Sequence, residues 1–128
     1  MKRFFMIFFT IVSVDAAACG ICIDDKVASC YDHAVVMSAR ERGHEVAFFA
    51  IEGSLPLRAD VRAALLRAVQ GARGVLRGTA RVSLESAALS FAYDPARATH
   101  GAIQAALEER LARRGLRLKL LWVLGRAS

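Results

Sequence analysis

From residue 44 onward the apolar positions switch between a period of two and a period near 3.6, the alternation that separates strands from helices. "HEVAFFAI" (44–51) is short, aromatic and β-branched, and predicts a strand. Ser54 and Pro56 then open a helix over 57–70, with Leu57, Val61, Ala64, Leu65 and Ala68 on one face and Gly71 as its stop. "GVLRGTARVSL" (74–84) and "SAALSFAYDP" (86–95) read as a hairpin turning at Glu85 and Ser86. Ala80, Val82 and Leu84 share one side of its first strand, and Leu89, Phe91 and Tyr93 one side of its second. Thr99 caps a second helix that buries Ile103, Ala106, Leu107 and Leu111 and ends at Gly115. "LRLKLLWVL" (116–124) is the last strand, with Leu116, Leu118, Leu120 and Trp122 on one face. The expected fold class is α+β, a ferredoxin-like βαββαβ sandwich with two helices over one face of a four-stranded antiparallel sheet.

The other sheet face is expected to be covered as well. In the first strand both faces are apolar, Val46, Phe48 and Ala50 on one and Ala47, Phe49 and Ile51 on the other. Leu121 and Val123 add to the face opposite Trp122. A half-exposed sheet would alternate with polar residues instead. "DDKVASCYDHAVVMSARERG" (24–43) predicts one preceding helix, with Val27, Tyr31, Ala34, Val35 and Ser38 on one arc. Either this N-terminal helix or a homodimer partner covers the open face.

Composition and charge narrow the function classes. The chain has 128 residues, enough for one compact domain and too few for two comfortable ones. Its net charge of +6 comes mostly from arginines scattered along the helices, with no basic block interleaved with aromatics, so nucleic acid is not an expected partner. Lys2 and Arg3, the apolar run Phe4–Val14 and Ala16-Ala17-Ala18 read as an export signal cleaved after Ala18. The run is well short of the roughly 20 residues a membrane-spanning helix needs. The expected division is a signal peptide (1–18), a Cys-rich segment with its helix (19–43) and a ferredoxin-like domain (44–128). The expected location is outside the cytoplasm, in a periplasm, and membrane-associated only if Cys19 is lipidated.

Residues 46–118 resemble the heavy-metal-associated domain family. The likeness rests on Gly74-Val75 opening a strand, on "ARVSLESAALSFAYDP", and on an "AIQAALEERLARRG" helix that closes on glycine. The resemblance implies a small metal-carrying domain and no enzyme activity. In that family, the loop after the first strand carries a Gly-Met-x-Cys-x-x-Cys metal motif. Here the loop reads "IEGSLPLRAD" (51–60), without Cys, Met or His. The family's ligands therefore do not carry over to this loop, while "CGICIDDKVAS" (19–29) resembles the missing motif locally.

Cys19 and Cys22 lie three apart at the predicted start of a helix, where sulfurs converge on one ion and the helix N-terminus favours thiolate. Soft thiolates select Cu(I) first, with Zn(II) or another soft ion as the alternative. Cys30, His33 and Met37 are spaced for one helix face, so Cys30 and His33 are expected as further ligands. No Ser/His/Asp set or carboxylate pair stands out for hydrolysis. The expected function is exported binding of a heavy metal, copper first, for sequestration, delivery or sensing, with a metal-transport protein as the expected partner. The alternative is a metal-free periplasmic interaction module, or a lipoprotein with a structural disulfide.

Overall fold

The computed structural model describes residues 23–125. The expected signal peptide (1–18), Cys19 and Cys22 lie outside the described residues. The elements run α1 (Ile23–Cys30), α2 (His33–Arg42), β1 (Glu45–Glu52), α3 (Ala59–Gln70), β2 (Arg81–Ser83), β3 (Ala88–Tyr93), α4 (His100–Ala112) and β4 (Arg117–Leu124). The strands pair antiparallel in the order β2-β3-β1-β4. From β1 onward this is the expected βαββαβ ferredoxin-like sandwich. No helix among the described residues is long and apolar enough to cross a membrane.

The period-two pattern of β1 divides its side chains between two cores. Ala47, Phe49 and Ile51 join Leu89, Phe91 and Tyr93 of β3 beneath Val61, Leu65 and Val69 of α3 and Ile103, Leu107 and Leu111 of α4. Val46 and Phe48 face the other way, with Ala88 and Ala92, against Val27, Cys30, Val36 and Ala39. The chain's own N-terminal segment therefore covers these residues of the second face, the first of the two expected covers.

Two helices stand where one was expected over 24–43, because the helix breaks at Tyr31-Asp32. Asp32 adopts an extended conformation, and its Oδ1 accepts from the backbone N–H groups of Ala34 and Val35 at 3.0 and 3.2 Å. That cap satisfies donors a helix start leaves open. The break also re-phases the buried stripe. Val27, Cys30, Val36 and Ala39 turn inward, whereas Tyr31, Ala34 and Ser38 of the expected arc are exposed. The freed carbonyl of Cys30, the last residue of α1, accepts from the buried Ser90 hydroxyl at 2.9 Å.

Asp32 also fastens this layer to the sheet. Its Oδ2 accepts from Arg81 Nε at 3.1 Å and Nη2 at 2.9 Å, a two-pronged contact between residues 49 apart in sequence. The Arg81 hydrogen bonds, then the Val35 N–H, hold the Asp32 carboxyl below its ordinary value of 3.8. A depressed folded-state value means the unfolded chain binds more protons in that window, so stability rises with pH there. The contribution is complete above about pH 4–5 and is lost as pH falls through the lowered value. Asp32→Ala is expected to lower the melting temperature at pH 7 by roughly 3–8 °C, and Asp32→Asn by less. Acid-melting curves of Asp32→Asn would show a flattened acid limb; a limb identical to that of the parent chain would count against the assignment.

Three further expectations are corrected. β4 carries a register shift, with Phe48 opposite Trp122 but Phe49 opposite Leu120, so Leu121 is a bulge residue. The extra residue reverses the alternation: Leu118 faces the main core, whereas Trp122 stacks on Phe48 of the second face at 6.2 Å between ring centroids. The second expected strand (74–84) is reduced to Arg81–Ser83 and one bridge, Val75 to Tyr93, because Gly74 (φ 102°) and Gly78 (φ 76°) turn the chain between them. Leu57 precedes α3 and is 67% exposed instead of joining the helix stripe.

Candidate metal centre

Glu52 ends β1 at one pole of the sheet, and the loop to α3 emerges there. Gly53 has φ 119°, and a Cβ on it would stand 2.5 Å from the Gly115 carbonyl oxygen, so only glycine lets these two loops touch. Leu55 tucks against the main core. Arg58 and Asp60 pair across the start of α3, with Nε 2.9 Å from Oδ1, and the guanidinium holds the Asp60 carboxyl down at about 2. Apart from Leu55 this loop is exposed, its charges pair at the start of α3, and the sequence places no soft ligand in it.

The same pole receives α1. Ile23 and Lys26 border an open hollow that Ala50, Ile51, Glu52, Lys119 and Leu121 also line. Lys26 Nζ donates to the carbonyls of Ser86 and Ala87, the latter at 3.2 Å, in the turn between β2 and β3. Ala87 has a left-handed backbone (φ 49°), a conformation that costs a side-chain-bearing residue about 1–2 kcal/mol. The Ala87 carbonyl is held from two sides, by Lys26 and by the Ile51 N–H at 2.8 Å.

Of the expected ligands, Cys30 and His33 fall within the described residues, and the structure does not bring them together. Cys30 is 3% exposed and packs in the second core, with Ser29 Oγ 3.8 Å from its Sγ. Burial pushes its thiol pKa up, against the weaker lowering by the Ser29 contact. A metal needs thiolate, so this environment opposes ligation. His33 is the exposed first residue of α2, with Nδ1 3.4 Å from the Tyr31 hydroxyl. The expected common face of Cys30, His33 and Met37 does not exist, because the helix breaks between the first two. Among the described residues no three His, Cys, Asp or Glu side chains are grouped to hold a metal ion.

Sequence reasoning missed Asp32 and Lys26. Asp32 carried a readable signal, an Asp immediately before the apolar-periodic "HAVV". Lys26 carried none, since its partners are backbone carbonyls 60 residues away.

No family model matches the chain, and no curated protein sequence does. Among solved structures, a copper binding domain from HMA7, a P-type ATPase, superposes with a TM-score of 0.50 at 18% identity, covering 62% of this chain and 96% of that one. Oxidized MerP from Ralstonia metallidurans CH34 gives a TM-score of 0.49 at 15% identity, covering 62% of this chain and 99% of that one. At such identity the likeness is one of fold: the chain shares the ferredoxin-like sandwich of the HMA7 domain.

Proposed function

We propose that this chain binds one soft metal ion, Cu(I) in the first instance, through Cys19 and Cys22. The observation that carries the reading is the docking of α1: its first turn lies on the pole of the sheet from which the Glu52–Arg58 loop emerges. Cys22 immediately precedes α1 in the sequence. In this reading the cysteine pair ahead of α1 does the work for which the loop has no soft ligand. Asp24 and Asp25 in the first turn of α1 add negative charge favourable to a cation. The copper binding named for the structural neighbour supports the choice of metal. Cys30, about 10 Å along α1 from Ile23, serves the core. The role is sequestration, delivery or sensing outside the cytoplasm, the leader 1–18 directing export.

The test is anaerobic titration of the purified chain with Cu(I) against a competing chelator. One ion per chain is expected, lost in Cys19→Ser/Cys22→Ser and retained in Cys30→Ser, which instead loses about 1–3 kcal/mol of stability by burying a hydroxyl. Stoichiometric copper surviving in the double variant would refute the ligand assignment. A second reading, a metal-free interaction module, is favoured by one observation. Trp122 (50% exposed), Tyr31 (43%) and Ile23 line one apolar groove with Leu121. Absence of bound copper, with Cys19 and Cys22 oxidised or acylated, would decide for it.

A further inference from the structure

At the pole opposite the loop, α2 and the segment Leu76–Thr79 enclose a cleft of about 410 Å³, within the range of small-ligand sites. Its wall is apolar: Val35, Ala39, Leu76 and Ala92 line it, and all four belong to or pack against the second core. Its rim carries two cations, Arg42 at the end of α2 and Arg77 in the facing segment, and His44 lines it between α2 and β1. No Asp or Glu lines the cleft. Among the described residues neither Arg42 nor Arg77 is in an ion pair.

The facing segment is fixed before any ligand arrives. The Thr79 hydroxyl donates to the Leu76 carbonyl at 2.6 Å and accepts from the Ala92 N–H at 3.1 Å. That holds Leu76 and Arg77 in place across from α2. The surroundings reinforce the sign of the field: Arg67 joins Arg77 around the next hollow, and Arg73 lines the one beyond it. Two unpaired guanidinium groups are planar forks suited to carboxylate or phosphate oxygens. The apolar wall excludes a bare hydrated ion as the best-fitting occupant, because it would be left facing water.

From this juxtaposition we infer that the cleft binds a small amphipathic anion, with its phosphate or carboxylate head between Arg42 and Arg77 and its apolar body against Val35, Ala39 and Leu76. The site is independent of the cysteines and of metal.

Octyl phosphate titrated into the full chain, followed by backbone amide shifts, tests it. Saturable shifts are expected at Val35, Ala39, Leu76 and Ala92. Arg42→Gln and Arg77→Gln should each weaken binding about tenfold, with unchanged melting temperature. Inorganic phosphate, lacking the apolar body, should bind at least tenfold more weakly than octyl phosphate. Equal affinity in the Arg42→Gln/Arg77→Gln variant, equal affinity for inorganic phosphate, or no saturable shift at the cleft would each overturn the assignment. Competition by phosphatidylglycerol vesicles would place the head group on a lipid, and its absence would place it on a free anion; both support the site.

Discussion

Phe49→Ala is expected to remove about 3–5 kcal/mol of folding stability. Phe49 sits near the middle of β1, a central strand, opposite Leu89 of β3 and Leu120 of β4. It has no exposed surface and stacks on Phe91 with ring centroids 5.5 Å apart. Truncation therefore forfeits the transfer energy of a full aromatic ring and leaves a void bounded by two strands and the helices above them. Backbone pairing on both sides of β1 prevents the strand from collapsing into that void, which favours the upper part of the range. A domain of this size has about 5–15 kcal/mol in total, so the variant is left marginal. Urea unfolding should show a lower midpoint with an unchanged slope. A loss under about 1 kcal/mol would mean that the core around Phe49 is not closed.

That the two faces of β1 would both be buried was legible in "VAFFAI" (46–51), which holds no polar residue. So were both sandwich helices: Val61/Leu65 and Ile103/Leu107/Leu111 of the expected stripes are buried, while Ala106 is exposed and Val69 is buried in addition. The errors have local physical causes. A single inserted residue in β4 reverses every side chain beyond it, and nothing in "LRLKLLWVL" marks Leu121 as that residue. Helix propensity runs through 24–42 without a Gly or Pro, yet Asp32 gains more from capping α2 and pairing with Arg81 than from continuing α1. That break bears on two of the four expected ligands. Spacing put Cys30 and His33 on one face, while the break leaves the thiol in a core and the imidazole in solvent. The emptiness of the Glu52–Arg58 loop was plain from its residue types, but the approach of α1 to the same pole depends on Lys26 reaching carbonyls from the far hairpin.

Removing residues 1–42 is expected to leave a fragment that associates and loses cooperative unfolding at ordinary concentrations. The βαββαβ stretch retains its main core, since α3 and α4 pack wholly on the other face. What it loses is the cover over Val46, Phe48, Ala88 and Ala92, together with Leu121 and Leu124 beside them. With Trp122 already half exposed next to Phe48, these side chains merge into one apolar surface across three strands. Patches of that kind on soluble monomers drive association when they exceed a few hundred Å². The edge strand β4 aggravates the outcome: its bulge and the charges of Arg117 and Lys119 discourage edge pairing, but they do not shield the face. Sedimentation of the fragment should show concentration-dependent oligomers, and Phe48→Lys within it should restore monomers by placing a charge at the patch centre. A monomeric fragment that melts like the full chain would show instead that α1 and α2 are dispensable. In that case the docking of α1 on the loop pole, on which the proposed metal reading rests, would lose its energetic basis, because a helix layer that adds nothing to the fold has no fixed place on it.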